Sequence, residues 1–173
     1  MASRNERSKQ EIYPLLVGRL LGNFQGLEFA IRAFLYARAD GNHAPLQTGT
    51  NLNTLRVGDI APENAMTCYD SLGTLIARYN KIAPAPLQID ESIVDIRDAL
   101  AHGRVSSFSP TDHFHLLKFS KAFKRRVHVT FSQEMSEAWL RQQVSRIASE
   151  FRKVGRNSEL QPEEGGQAPA TPS

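Results

Sequence analysis

The chain has a single cysteine, Cys68, so one copy can form neither an internal disulfide nor a cysteine-based zinc site. No apolar run approaches the length of a membrane span, and residues 1–7 do not lead into the apolar core of a signal peptide. These absences predict a cytoplasmic protein with no membrane segment. Aromatic residues are few, but apolar residues make up 40% of the 173 positions, which is enough for one domain with a core.

The chain as a whole also has no strong net charge of either sign. The formal net charge of +3 is mildly basic, which is compatible with an anionic partner and does not require one. The densest basic segment holds Lys118, Lys121, Lys124, Arg125 and Arg126. On a hairpin tip the last four would follow an RNA backbone electrostatically, whereas the alternative interpretation is a solvated turn.

Apolar residues recur every three to four positions in four segments, as the buried stripe of a helix requires. The first segment runs from about Tyr13 to Ala39 and the second from about Pro62 to Ile82. A short third helix is expected to begin near Asp90 or Ser92 and to end at Gly103. The fourth follows a segment with a different period.

That different period is the alternation of a half-buried strand. The alternating apolar positions are Leu117, Phe119, Val127, Val129 and Phe131. Residues 121–125 would form the turn between two such strands. The sequence therefore predicts an all-α fold, a four-helix domain over residues 8–155 with a small β-hairpin inserted before the last helix. Residues 156–173 are rich in Gly, Pro, Glu and Gln, which predicts a disordered tail.

The third helix carries the strongest candidate site, because Arg97, Asp98 and His102 lie within two turns. Ile96 and Leu100 give this helix a buried stripe, so the three polar groups lie beside it or opposite to it. A fixed positive charge, a carboxylate and a side chain that titrates near neutrality suit chemistry on a phosphodiester. The structural alternative is that the same groups only brace the helix and complement its C-terminal dipole.

Spacing alone does not single this segment out. The pattern Arg-x4-His also occurs as Arg38 to His43, across the helix-ending residues Gly41 and Asn42. That copy is interpreted as accidental, because its geometry would not be fixed.

The heptad Arg97-Asp98-Ala99-Leu100-Ala101-His102-Gly103 resembles the Arg-polar-x3-His signature of HEPN domains. The resemblance extends over roughly residues 10–155, with a long first helix that contains Asn23-Phe24-Gln25-Gly26-Leu27-Glu28 and a last helix entered through Glu137-Ala138-Trp139-Leu140. It implies an up-down helical bundle that dimerises, so that two copies of the motif helix form one composite cleft.

Many HEPN proteins are metal-independent endoribonucleases of toxin–antitoxin, antiviral or RNA-processing systems, and others are non-catalytic. The resemblance implies that His102 is a general acid/base and that Arg97 holds the phosphate and stabilises charge in the transition state. Asp98 takes the polar position that is often asparagine in active members. The implied partners are a second copy, RNA and an antitoxin-like protein. The alternative function is a non-catalytic module that binds RNA, a nucleotide or a protein partner.

A metal site is the remaining interpretation of the histidines, since His113, His115 and His128 lie in one region. Strand alternation argues against it, because His115 shares a face with the apolar residues of its strand and His128 points away from those of the next. No nearby carboxylate or cysteine completes a site. No metal and no cofactor are therefore predicted.

Overall fold

The computed structural model describes residues 9–39, 52, 54–107 and 114–160. In these segments the chain forms, in order, α1 (Lys9–Ala39), α2 (Leu72–Asn80), α3 (Ile93–His102), β1 (Arg104–Ser106), β2 (His115–Phe119), β3 (Val129–Glu134) and α4 (Glu137–Glu159). A single 3₁₀ turn, Ala85–Leu87, lies between α2 and α3. None of the described helices combines the length and the apolar character that crossing a membrane requires.

The core forms where α1 packs along α4, which is the most extensive contact between two helices. The predicted stripe of α1 is confirmed, because Leu20, Leu27 and Ile31 are fully buried. On α4 the residues that face this stripe include Leu140 and Ile147, also fully buried. Burial of this kind supplies most of the stability of a helix in a globular domain.

The predicted second helix is too long by ten residues at its N-terminus, since α2 begins at Leu72. Asn64 accepts a hydrogen bond from the Met66 amide at 2.8 Å, a local turn that competes with helix formation. Ser71 then caps α2 by accepting from the Thr74 amide. Tyr69, which the periodicity placed on the buried stripe, is fully exposed.

Arg32 of α1 holds the segment before α2 in place. Its guanidinium donates to the carbonyl oxygens of Ala65 (3.1 Å), Cys68 (3.0 Å) and Asp70 (2.9 Å), and it forms a 2.9 Å ion pair with Glu28. A planar fork of donors serves several acceptors at once, which a lysine ammonium cannot do in the same geometry.

We therefore expect Arg32→Lys to lower the free energy of unfolding by about 1–3 kcal/mol, because some of these partly buried carbonyls lose their donor. Urea denaturation followed by circular dichroism measures the change. Arg19→Lys on the exposed side of the same helix is the matched control and should change stability by less than about 0.5 kcal/mol. Equal midpoints for the two variants would contradict this role of Arg32.

The predicted all-α fold class is wrong, because the three strands form an antiparallel sheet in the order β1-β2-β3 and the fold is mixed α+β. The predicted hairpin exists as β2 and β3, but β1 follows α3 directly and adds a third strand. Arg104 pairs with Leu117 and Ser106 with His115. A strand of three residues is too short for a period-two pattern to be visible in the sequence.

The sheet has an inward and an outward face. Leu116 of the central strand is buried, and Phe131 of β3 packs against the core beside it. Arg104, Leu117 and Phe119 lie on the outward face, where the Arg104 guanidinium lies 5.5 Å from the centre of the Phe119 ring. The motif helix therefore leads into a sheet with one open face.

At the other end of the fold, α4 continues through Glu159, past the predicted domain end at residue 155. Asn157 is fully buried and donates to the Tyr79 hydroxyl at 3.1 Å, so this last turn belongs to the domain. Residues 161–173 of the predicted tail lie outside the described residues, as does His43 of the second Arg-x4-His pattern.

Candidate functional site

The candidate site is built on α3, which spans Ile93–His102 as the sequence predicts. Ile93, Ile96 and Ala99 are buried, so this side of the helix faces the core. Leu100, expected in the buried stripe, is only half-buried. The polar residues of the motif consequently lie at the border between the protein and solvent.

The beginning of α3 is tied to α4 through Asp90. Its carboxylate accepts a hydrogen bond from the Ser92 amide at 3.0 Å and forms an ion pair with Arg146, which also donates to the Ser92 hydroxyl. The hydrogen bond from Arg146, followed by those from Ser92, lowers the pKa of Asp90 from 3.8 to about 2. The charged form is therefore favoured in the folded state.

A lowered pKa in the folded state means that Asp90 contributes stability above pH 4, and that this contribution is lost as the pH falls from about 4 to about 2. The side chain is 48% exposed, so solvent screening limits the contribution to about 1 kcal/mol or less.

We expect Asp90→Asn to remove this part of the acid destabilisation, measured by urea unfolding at stepwise lower pH. Asp95→Asn, which removes an exposed carboxylate from the first turn of α3, is the matched control and should retain the acid destabilisation. If the free energy of unfolding falls with decreasing pH in the same way in Asp90→Asn and in wild type, the prediction is wrong.

At the end of α3 the chain turns straight into β1 at Gly103. The Gly103 amide donates to the Ala99 carbonyl oxygen at 2.7 Å. A Cβ at this position would lie 2.3 Å from that oxygen and 2.9 Å from the Leu117 carbonyl oxygen of β2. Its φ of −79° is open to any residue, so the glycine is required for space and not for conformation.

The close approach at Gly103 brings β2 beside the motif. The Asp98 carboxylate lies 3.1 Å from the Arg97 guanidinium and 3.6 Å from the Lys118 ammonium, so one carboxylate is shared by two cations. All three side chains are partly exposed. Sequence reasoning placed Lys118 in the basic segment and did not connect it with Asp98, because strand pairing is what brings the two together.

His102 is the last residue of α3 and is exposed. It lies one turn after Asp98, and within the described segments its imidazole makes no hydrogen bond or ion pair. The ring nitrogens are therefore free to accept and donate protons to a bound molecule. The structure thus brings Arg97, Asp98 and Lys118 into contact, with His102 on the same helix.

The four residues predicted to bind RNA form a separate group. Lys121, Lys124, Arg125 and Arg126 are exposed at the end of the β2–β3 hairpin. None of them contacts α3 through a hydrogen bond or ion pair among the described residues. Lys118 is the basic residue of this hairpin that reaches the motif.

The histidines outside the motif do not converge. The His115 Nε2 lies 3.0 Å from the Ser132 hydroxyl on the outward face of the sheet, and His128 is exposed. His113 falls outside the described residues. In the segments that the structure covers, no three histidine, cysteine, aspartate or glutamate side chains are grouped as metal ligands would be.

Asn23 and Glu28, the two polar residues of α1 in the segment on which the resemblance was based, make contacts within the fold. The Asn23 amide donates to the Val144 carbonyl oxygen of α4 at 3.0 Å, and Glu28 pairs with Arg32. Neither is available to the motif on α3.

The site therefore offers two cations around one carboxylate and, at the end of the same helix, an exposed imidazole that has no partner among the described residues. This combination can bind a phosphate group and exchange protons with it. Comparison of the chain with protein-family models, with curated proteins and with solved structures gave no match.

Proposed function

We propose that this protein is a metal-independent endoribonuclease of the HEPN type, in which His102 and Arg97 act on the phosphodiester. The observation that carries the proposal is the exposed His102, which has no partner within the described part of the chain and ends a helix that also presents Arg97, with Lys118 added by the neighbouring strand. Cleavage of a phosphodiester needs positive charge for its oxygens and a group that accepts and donates protons, and these residues supply both.

The reaction begins with attack of a ribose 2′-oxygen on the adjacent phosphorus. A neutral imidazole takes the proton of the 2′-hydroxyl while the new phosphorus–oxygen bond forms, and the bond to the 5′-oxygen breaks. A protonated imidazole gives a proton to that leaving oxygen. The products are a 2′,3′-cyclic phosphate and a 5′-hydroxyl.

Acid and base act in the same step, but each copy of the chain contributes one histidine from this motif. The proposal therefore includes a dimer in which His102 of each copy faces a shared cleft, one imidazole neutral and the other protonated. The exposed position of His102 at the end of α3 leaves it open to such a contact.

Arg97 and Lys118 would hold the non-bridging phosphate oxygens and stabilise the charge that develops on them. In the unbound protein Asp98 accepts a hydrogen bond from Arg97 and forms an ion pair with Lys118, and so keeps the two cations side by side. A phosphate competes with Asp98 for these donors, so the carboxylate limits affinity while it positions the two side chains.

The proposal is tested by incubating the protein with end-labelled RNA in the presence of EDTA. We expect cleavage that EDTA does not affect, and products whose 3′ ends are cyclic phosphates that phosphatase alone cannot remove. Intact RNA under all conditions, or cleavage that requires a divalent cation, would overturn it.

The ion pairs of Asp98 favour a second candidate, a non-catalytic module that binds RNA through the same cations. Asp98→Asn separates the two, since it removes the competing negative charge and leaves a similar shape. If the chain is an enzyme, this variant should cleave RNA faster than wild type. If it is a binding module, affinity for RNA should rise while neither protein cleaves.

A further inference from the structure

The end of the β2–β3 hairpin is the most strongly basic part of the molecule. Five of the 21 basic residues lie within residues 118–126, which contain no acidic residue, so the remaining 16 basic and 18 acidic residues are net acidic. The mild basicity of the whole chain is thus concentrated in one short segment. We name residues 121–126 the hairpin tip.

The cations of the hairpin tip face solvent. Lys121, Lys124, Arg125 and Arg126 are exposed, and none of them pairs with a carboxylate among the described residues. Unpaired cations in this density attract a polyanion and release its counterions when it binds.

An aromatic ring stands among these cations. Phe123 is 72% exposed, and the Lys124 ammonium lies 5.4 Å from the centre of its ring. An exposed ring flanked by cations is a platform on which an unpaired base can stack. In a duplex the bases are stacked on one another, so this feature favours a single strand.

The tip is a tight turn closed by backbone hydrogen bonds. Phe123 and Arg126 exchange two backbone hydrogen bonds, of 2.9 and 3.0 Å, across the two residues Lys124 and Arg125. Both of these have positive φ, 48° and 62°, which fits a type I′ turn. Asn-Gly is the usual sequence there, so two long basic side chains occupy positions where L-residues are strained. The turn therefore holds two exposed basic side chains at positions where the backbone of an L-residue is strained.

The hairpin also connects the tip with the motif helix. Lys118 lies on the same strand that leads to the tip and is 3.6 Å from the Asp98 carboxylate. The five steps along the chain from Lys118 to Phe123 can span at most about 16 Å, a distance that a few nucleotides of single strand cover. An anionic membrane would contact the tip but would not follow the hairpin to α3.

We infer that the hairpin tip docks single-stranded RNA, with phosphates on its cations and a base on Phe123, and leads the strand toward Arg97 and His102. The inference rests on the proposed function, since RNA is the substrate there, and it adds a binding surface outside the reacting residues.

The test measures the fluorescence anisotropy of the full chain with a labelled 2′-O-methyl oligouridylate, which cannot be cleaved because its 2′-oxygen carries no proton. We expect Lys124→Asn/Arg125→Gly to weaken binding about tenfold and to reduce the slope of log affinity against log salt by about 1.4, the share of two phosphate contacts on a single strand. Since Asn-Gly suits a type I′ turn, this double variant should retain or strengthen the hairpin fold.

Phe123→Ala should weaken binding roughly 5- to 100-fold without changing the salt slope, because stacking releases no counterions. Phe123→Leu keeps an apolar side chain without a ring and should lose as much. Arg152→Gln on the exposed side of α4 is the matched charge control and should bind like wild type. Duplex RNA should bind more weakly than the single strand.

Wild-type affinity in both the turn variant and Phe123→Ala would overturn the inference. So would charge-dependent binding to vesicles of phosphatidylcholine and phosphatidylserine with no binding of the oligouridylate. If the tip variants lose binding while RNA is never cleaved, the proposed catalysis fails and the docking surface stands. If cleavage depends on His102 while the tip variants bind normally, the docking surface alone fails.

Discussion

Replacing His102 by alanine is expected to lower the rate of RNA cleavage by about 10²–10⁴-fold, the usual contribution of a general acid or base. In a homodimer the substitution removes both imidazoles from the composite cleft, so the loss should fall toward the upper end. The rate is measured on end-labelled RNA in EDTA under single-turnover conditions, where product release does not limit it.

The loss should not come from unfolding. His102 is exposed and unpartnered within the described residues, so His102→Ala should change the free energy of unfolding by less than about 0.5 kcal/mol. His128→Ala, which removes another exposed histidine, is the matched control and should cleave at the wild-type rate. Equal activity of wild type and His102→Ala would exclude His102 from the mechanism.

Dilution tests the shared cleft independently of any substitution. Below the dissociation constant of the dimer, the specific activity should fall with protein concentration, because a single copy holds only one histidine of the required pair. Specific activity that stays constant while the protein sediments as a monomer would exclude the composite site. It would leave open a site made by one copy, in which another group supplies the second proton transfer.

Much of the helical framework was predictable from periodicity, because burial of one side is what an apolar stripe records. The stripe of α1 and the limits of α3 follow from Leu20, Leu27, Ile96 and Gly103. The start of α2 was not predictable in this way. Asn64 forms a local turn there, and hydrogen bonds of this kind leave no periodic signal.

The sheet shows the other limit of sequence reasoning. The chain order places β1 next to α3, but only pairing with β2 makes these three residues a strand. The same pairing brings Lys118 to Asp98, which converts an apparent surface lysine into part of the candidate site. Long-range register depends on the whole core, so neither feature is contained in a local pattern.

Gly103→Ala is expected to lower the free energy of unfolding by about 3 kcal/mol or more, at the upper end of what an inserted methyl group does in a packed site. The new Cβ would lie 2.3 Å from the Ala99 carbonyl oxygen, 2.8 Å from the Leu116 Cδ1 and 2.9 Å from the Leu117 carbonyl oxygen. The Leu116 and Leu117 atoms belong to β2, so relief of those two clashes requires that α3 and β2 move apart. The clash with Ala99 lies within α3 and requires in addition that the backbone at the end of this helix change.

Gly73→Ala is the matched control, because a Cβ there would make an ordinary 3.6 Å contact with Val94. In the helical position of Gly73, alanine should be neutral or stabilising by up to about 1 kcal/mol. Urea denaturation gives both values, and equal midpoints for Gly103→Ala and wild type would show that the α3–β2 contact is looser than described.

The same substitution links stability to function. Separation of α3 from β2 would break the Asp98–Lys118 contact and move His102, the residue directly before Gly103. Cleavage per folded molecule should therefore fall in Gly103→Ala even at a temperature where the variant is mostly folded, whereas Gly73→Ala should keep the wild-type rate. If Gly103→Ala is destabilised but its folded fraction cleaves normally, Lys118 takes no part in holding the phosphate. Arg97 and His102 would then be the residues of this site that act on the phosphodiester.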